Sequence, residues 1–179
     1  MDFAMTDEQE LLLESVREFC DRYFTEDVIK EMYETGDMPD EIAEAYRDAG
    51  FGLMGIPEEY GGIPCDKVTL GMMIEELYHS SGCNHILYQN SLTAFDIVEF
   101  GTPEQIQKYM DAYMETGWPL CSLSISEPGA GSDNRNMSCT AKKQDDGTYR
   151  LNGQKTWVTM GAKLPYTIVV AKDEDPSRE

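Results

Sequence analysis

Apolar and polar positions follow two different periods along the chain, helical up to about residue 117 and strand-like from Pro119 onward. Two helices are predicted to start on the same capping pattern. Thr6-Asp7-Glu8-Gln9 and Thr102-Pro103-Glu104-Gln105 each place a threonine at the N-cap and a glutamine three residues later, where the two side chains can satisfy backbone N–H groups left free at a helix start. Leu12, Val16, Phe19 and Tyr23 then recur at helical spacing as one stripe, and Ile106 and Met110 share a face behind Pro103. Between them the pattern predicts helices over 40–49, with Ile42, Ala45 and Tyr46 inward and Gly50 as the stop, over 67–79, and over 84–100 with Gly101 as a left-handed cap. Residues 51–63, rich in glycine and interrupted by Pro57, break the helical period and read as an ordered loop.

From Pro119 the chain reads as short strands over 120–126, 137–143, 148–151, 154–159 and 166–172, with turns at Asp146-Gly147 and Asn152-Gly153. The expected organisation is an all-α helical bundle over 1–118 followed, over 119–179, by part of an antiparallel, barrel-like β domain. A sheet that stops after so few strands leaves open edges, so this second domain is expected to be incomplete.

Composition adds three constraints. The chain has 179 residues, 41% of them hydrophobic and 27% charged, enough for a folded core without disulfides. Its formal charge is -20, and residues 1–120 hold 26 of the 34 acidic residues but 6 of the 14 basic ones. An acidic surface repels phosphodiester and anionic lipid, so neither nucleic acid nor membrane is an expected partner, and the near-neutral second segment is the expected home of any anionic cofactor. The five cysteines stand at wide, irregular spacings, and Met1 to Glu10 is acidic without an apolar run, which together predict reduced thiols and a cytoplasmic location.

Two stretches carry candidate chemistry. In Ser124-Ile125-Ser126-Glu127-Pro128-Gly129-Ala130-Gly131-Ser132-Asp133, small residues let the backbone turn sharply and approach a ligand, while Ser126 and Ser132 offer hydroxyls beside free N–H groups. Alone it reads more readily as a mere tight turn, since turn chemistry uses the same residues. In Leu151-Asn152-Gly153-Gln154-Lys155-Thr156-Trp157-Val158-Thr159 a hairpin turn feeds a predicted strand on which Trp157 and Thr159 share a face, able to flank a planar ring and bond its edge. The plainer reading is a core tryptophan. His79 is expected to end a helix and His85 to begin the next, neither with a metal-ligand partner, and the methionines, Met72 and Met73 among them, read as core filler.

Together with Ile56-Pro57-Glu58-Glu59-Tyr60-Gly61-Gly62, these stretches, from Ser126 to Asp133 and from Asn152 to Thr159, make the chain resemble the acyl-CoA dehydrogenase family along its whole length. The resemblance implies a helical domain, then a β domain, with the family's carboxy-terminal four-helix domain absent from these residues. It implies FAD as cofactor, with Leu123, Ser124, Ile125 and Ser126 lining the flavin, Gly131 and Ser132 at the junction of flavin phosphate and substrate, Ser132 also meeting the acyl chain, Trp157 and Val158 beside the ring and Thr159 near N5. Leu123, Ser124, Asn136 and Met160 depart from the residues usual there. The implied reaction is α,β-dehydrogenation of an acyl-CoA thioester, electrons passing to an electron-transferring flavoprotein, in a homo-oligomer when full length. Ile86-Leu87-Tyr88-Gln89-Asn90 and Met1-Asp2-Phe3 are similar to crotonobetainyl-CoA reductase, which points to the reverse reduction of an enoyl-CoA and to fatty acid or carnitine metabolism.

The family's catalytic glutamate lies in the carboxy-terminal helical domain and matches no residue here, so no catalytic residue is expected within the chain, Glu127 reads as structural, and residues 1–179 alone are expected to be inactive and to hold FAD weakly or not at all. The competing expectation is a non-catalytic binding or assembly module that works with a second chain.

Overall fold

Helix starts follow the capping logic of the sequence. The structure, a computed structural model, describes residues 4–174, without the side chains of Gln89, Asn90 and Ser91. Of the residues similar to crotonobetainyl-CoA reductase, Met1, Asp2, Phe3 and the side chains of Gln89 and Asn90 therefore lie outside the described set, as do residues 175–179 of the terminal charged run. Both predicted capping boxes form, on α1 (Asp7–Tyr23) and on α6 (Pro103–Thr116), each with the threonine and glutamine side chains bonded reciprocally to backbone N–H groups. Between them stand α2 (Glu26–Thr35), α3 (Asp40–Asp48), α4 (Lys67–Ser81) and α5 (Leu87–Phe100). Residues 51–53 and 58–60 form short 3-10 turns within the predicted loop.

The helical pattern missed α2. Its signals were a threonine N-cap at Thr25, acidic residues in the first turn and the left-handed Gly36 at its end, but it buries only Met32 and so shows little apolar stripe. Two other expectations change. Gly101 caps α5 in extended rather than left-handed conformation, and glycine is needed there because a Cβ would stand 2.5 Å from the Ile97 carbonyl oxygen. The stripe of α1 is centred on Leu13, Val16, Phe19 and Cys20, with Leu12 and Tyr23 at its margins; in α3, Ala43 rather than Ala45 is fully buried.

By its contacts the chain divides into two compact units, Met1–Pro119 and Leu120–Glu179. In the first, Phe19 is the packing centre: its ring lies 5.0–6.2 Å from those of Tyr23, Phe24, Tyr46 and Phe51, drawing together α1, α3 and the turn at 51–53. Such contacts each add about 0.5–1.5 kcal/mol to area burial. Polar ties fix neighbouring helices. Arg17 donates to Glu76 at 2.8 Å and Gln9 Nε2 to Thr69 Oγ1 at 2.8 Å between α1 and α4, while the buried hydroxyls of Thr93 and Tyr109 meet at 2.6 Å between α5 and α6. Trp118 Nε1 bonds Asp40 Oδ1 at 2.8 Å, closing the end of α6 onto α3.

His85 does not begin a helix: α5 starts at Leu87, and the imidazole is buried, stacked 4.4 Å from the Tyr78 ring and 5.0 Å from the Phe24 ring. Burial pushes its pKa down from 6.5 to about 4, opposed by the Leu77 carbonyl. Among the described residues no helix is long and apolar enough to cross a membrane.

In the second unit the strands fall into two small sheets, most of them shorter than predicted: β1 (Cys121–Ser124), β2 (Thr140–Lys143), β3 (Tyr149–Asn152), β4 (Tyr166–Val169) and β5 (Lys172–Asp173). The expected antiparallel order holds only for β2 with β3, joined by the Asp146-Gly147 turn; β1–β4 and β2–β5 pair in parallel. The predicted strand over 166–172 is two strands, because after Val169 the chain leaves β1, with Val170 N still bonded to Ser124 O, and joins β2, with Lys172 N bonded to Cys139 O. The predicted strand over 154–159 is absent; Trp157 and Met160 both take φ of 58° there, which breaks the alternation of a pleat.

Two measurements follow. A Cβ on Gly52 would stand 1.8 Å from the Tyr113 hydroxyl, so Gly52→Ala is expected to destabilise the chain by ~1–3 kcal/mol in urea denaturation, and Tyr113→Phe in the same background to restore part of it. His85 is neutral when folded and titrates near 6.5 when unfolded, so its stabilising contribution is complete above pH 6.5 and is lost as pH falls toward 4. The wild type is expected to lose about 2 kcal/mol between pH 7.5 and pH 5 through this group, a loss absent from His85→Phe.

Candidate functional site

The second unit is organised by one carboxylate. β1 runs straight into the sequence 125–133, where Glu127 and Ala130 exchange backbone hydrogen bonds (Glu127 N to Ala130 O 2.8 Å, Ala130 N to Glu127 O 3.2 Å) and close a tight turn through Pro128 and Gly129. That turn points the Glu127 side chain inward, where only 2% of it is exposed. Its Oε2 accepts from Ser138 N at 2.5 Å and Ser138 Oγ at 2.8 Å; its Oε1 accepts from Cys139 N and from Lys155 Nζ, both at 2.9 Å. The Ser138 amide, then the Lys155 ammonium, hold the carboxyl down at about 2, well below the usual 4.5. A carboxylate held ionised by four donors and closed from solvent is a poor proton acceptor, which accords with its structural reading.

Lys155 also donates to the Ile125 carbonyl at 2.8 Å, and Thr156 N donates to the Ser126 carbonyl at 2.9 Å. Thus the two motifs read from sequence, separate in the chain, lie against each other as backbone. Lys155, Ser138 and Cys139 are the residues sequence reasoning did not assign. Lys155 stood in a motif without a role of its own, and no spacing rule connects a lone glutamate to amides eleven and twelve residues on.

The structure places the candidate cofactor residues as follows. On β1, Ser122 and Ser124 face β4: the Ser124 hydroxyl meets Thr167 Oγ1 at 2.9 Å and Ser122 Oγ donates to the Tyr166 carbonyl at 3.4 Å. Ser124 therefore offers a ligand no free hydroxyl. Leu123 and Ile125 project from the opposite face by strand alternation, half-buried and 37% exposed respectively. The hydroxyls of Ser126 and Ser132 make no hydrogen bond among the described residues, and a Cβ on Gly129 or Gly131 would meet open space. Thr159 is exposed and Val158 half-buried, but without a strand Trp157 and Thr159 do not share a strand face.

Trp157 is not a core residue. It is 92% exposed and sits in left-handed backbone at φ 58°, a conformation uncommon for a bulky side chain, so local packing explains neither its exposure nor its backbone. An uncovered indole, an exposed Ile125, free serine hydroxyls and a glycine turn without side chains form a donor and surface set that suits a planar ring bearing polar edges and a phosphate tail.

Known proteins carry the same segments. Residues 6–116 match the family model described as acyl-CoA dehydrogenase, N-terminal domain, and residues 122–179 that described as acyl-CoA dehydrogenase, middle domain. The chain is 39% identical over 176 residues to the probable acyl-CoA dehydrogenase YdiO of Escherichia coli (strain K12), covering 98% of this chain and 45% of that protein. It thus spans less than half the length of this curated relative. Among solved structures it is similar to acyl-CoA dehydrogenase from Geobacillus kaustophilus (TM-score 0.81, 29% identity, 98% of this chain and 46% of that one) and to the FAD complex of PigA (TM-score 0.78, 25% identity, 97% and 45%).

Because Glu127 is ionised when folded and titrates near 4.5 when unfolded, its stabilisation is present above pH 4.5 and is lost as pH falls through about 2. In Glu127→Gln the Ser138 and Cys139 amides are expected to exchange with solvent faster already at neutral pH, read by NMR, whereas in the wild type they lose protection only as pH falls below 4.5 toward about 2.

Proposed function

The chain belongs to the acyl-CoA dehydrogenase family, and from that membership we propose that it forms the flavin-facing wall of an FAD-dependent oxidoreductase that introduces or removes an α,β double bond in an acyl-CoA thioester. The single observation that carries this reading is the exposed Trp157 on strained backbone, beside the signature turn of residues 126–133. Bound FAD supplies the hydride acceptor for the β hydrogen in the oxidative direction.

What this chain's residues contribute is binding and orientation. Trp157 and Val158 pack against the ring system, with Leu123 and Ile125 as the apolar floor and Thr159 Oγ1 turned to the N5 edge. Ser126 bonds the pyrimidine edge. Ser124 lines the ring through its backbone, since its hydroxyl is committed to Thr167. Gly131 permits close approach of the phosphate, and Ser132 bonds it and meets the acyl chain. Proton abstraction at the α carbon is assigned to no residue of this chain. The electron partner fitting this reading is an electron-transferring flavoprotein, the working assembly a homo-oligomer, and reduction of an enoyl-CoA such as crotonobetainyl-CoA the same chemistry run in reverse.

Titration of FAD with the chain, followed by flavin fluorescence polarisation, is expected to give a weak but saturable rise. Trp157→Ala shifts the midpoint about tenfold higher, as loss of one ring–ring contact of ~1.5 kcal/mol requires, and Ser126→Ala shifts it less. A flat titration at saturating chain, or one indifferent to Trp157, would overturn this assignment.

A further inference from the structure

The wall described above is made of two backbone segments, 124–126 and 155–159, with no regular ladder between them; 155–159 is not a strand. Something else must set their spacing. Two bonds join them, Thr156 N to the Ser126 carbonyl at 2.9 Å and Lys155 Nζ to the Ile125 carbonyl at 2.8 Å. The second depends on where Lys155 points, since a lysine has a long stem and three rotatable donors. Here the ammonium is fixed: its side chain is 9% exposed and bonds Glu127 Oε1 at 2.9 Å, and Glu127 is itself immobilised by Ser138 and Cys139. A buried ion pair is a costly way to fill space, since desolvation offsets much of its attraction, and its best-attested use is to select one geometry.

We infer that Lys155 is a positioning residue: anchored by Glu127, it sets the register of the Trp157 segment against the Ile125–Ser126 backbone and so shapes the flavin-facing wall without touching the reacting atoms. This rests on the reading that the two segments flank a flavin. Only Thr156 separates Lys155 from Trp157, so a shift of the ammonium moves the indole, and the Ile125 carbonyl it holds belongs to the residue whose side chain forms the apolar floor. The anchor comes from the far side, through the amides that precede β2, so the register is set relative to the sheet.

The test uses the whole chain with Lys155→Met, which keeps the stem and removes the charge, Lys155→Arg, which keeps the charge, and Thr148→Val, which removes the hydroxyl bond to Asp146 elsewhere in the same unit. Amide exchange and FAD binding are measured on each. In Lys155→Met the Thr156 amide is expected to exchange about tenfold faster while that of Cys139 stays protected, and the FAD midpoint to rise about tenfold, the loss of one charge-assisted bond at a binding wall. Lys155→Arg restores both, and Thr148→Val changes neither. Opening of Thr156 and Cys139 together in Lys155→Met makes the pair a general fold tie and overturns the inference. So does an unaltered Thr156 amide, or unaltered FAD binding once Thr156 has opened. If the wild type binds no FAD while the exchange pattern holds, the flavin reading fails and the positioning of 156 against 126 stands.

Discussion

The ionised Glu127 carboxylate is the interaction on which the second unit depends. A charge taken from water must be matched by donors in good geometry or it unfolds its surroundings. Here the donors come from two places in the sequence, the amides and hydroxyl of Ser138 and Cys139 ahead of β2 and the ammonium of Lys155, and they meet on the turn that carries Glu127. Satisfying the charge brings those segments together, and the small parallel pairs β1–β4 and β2–β5 complete a unit whose sheets are too short to specify it alone.

The helical unit solves the same problem differently. Its specificity comes from rings gathered on Phe19 and from a few buried polar ties, notably Thr93 with Tyr109. His85 is the exception, a titratable ring held neutral between two aromatic planes, with burial the cause of its lowered pKa. The acidic excess of residues 1–120 stays toward the surface, since among the described residues no Asp or Glu of that stretch is buried.

These two arrangements divide labour within the site. The charged and hydrogen-bonded groups, Glu127, Lys155 and Ser124, are turned inward and consumed by structure, whereas Ile125, Ser126, Ser132 and Trp157 face outward with little to hold them. Binding residues left unsatisfied by their own chain are what a ligand can satisfy, and rigid support directly behind them lowers the cost of ordering them on binding.

Local rules, acting within a turn or two, are legible in a sequence because their partners are neighbours. The capping boxes at Thr6 and Thr102, the Asp146-Gly147 turn and most helix positions were readable for that reason, and the motifs at 126–133 and 152–159 carried the family. What the sequence could not supply were outcomes decided between distant residues. Parallel pairing of β1 with β4 depends on how the chain returns from far away, and the departure of 166–173 from one sheet to another depends on which edge is free. The segment 155–159 meets the Ile125 and Ser126 carbonyls through Lys155 and Thr156 instead of forming a strand, a pairing between residues far apart in the chain. Thus the sequence alone determined most of the helices, the two capping boxes and the family. Only the tertiary structure decided that Glu127 is a buried hub and Trp157 an exposed plane, because burial and charge pairing are properties of residues brought together, not of residues in a row.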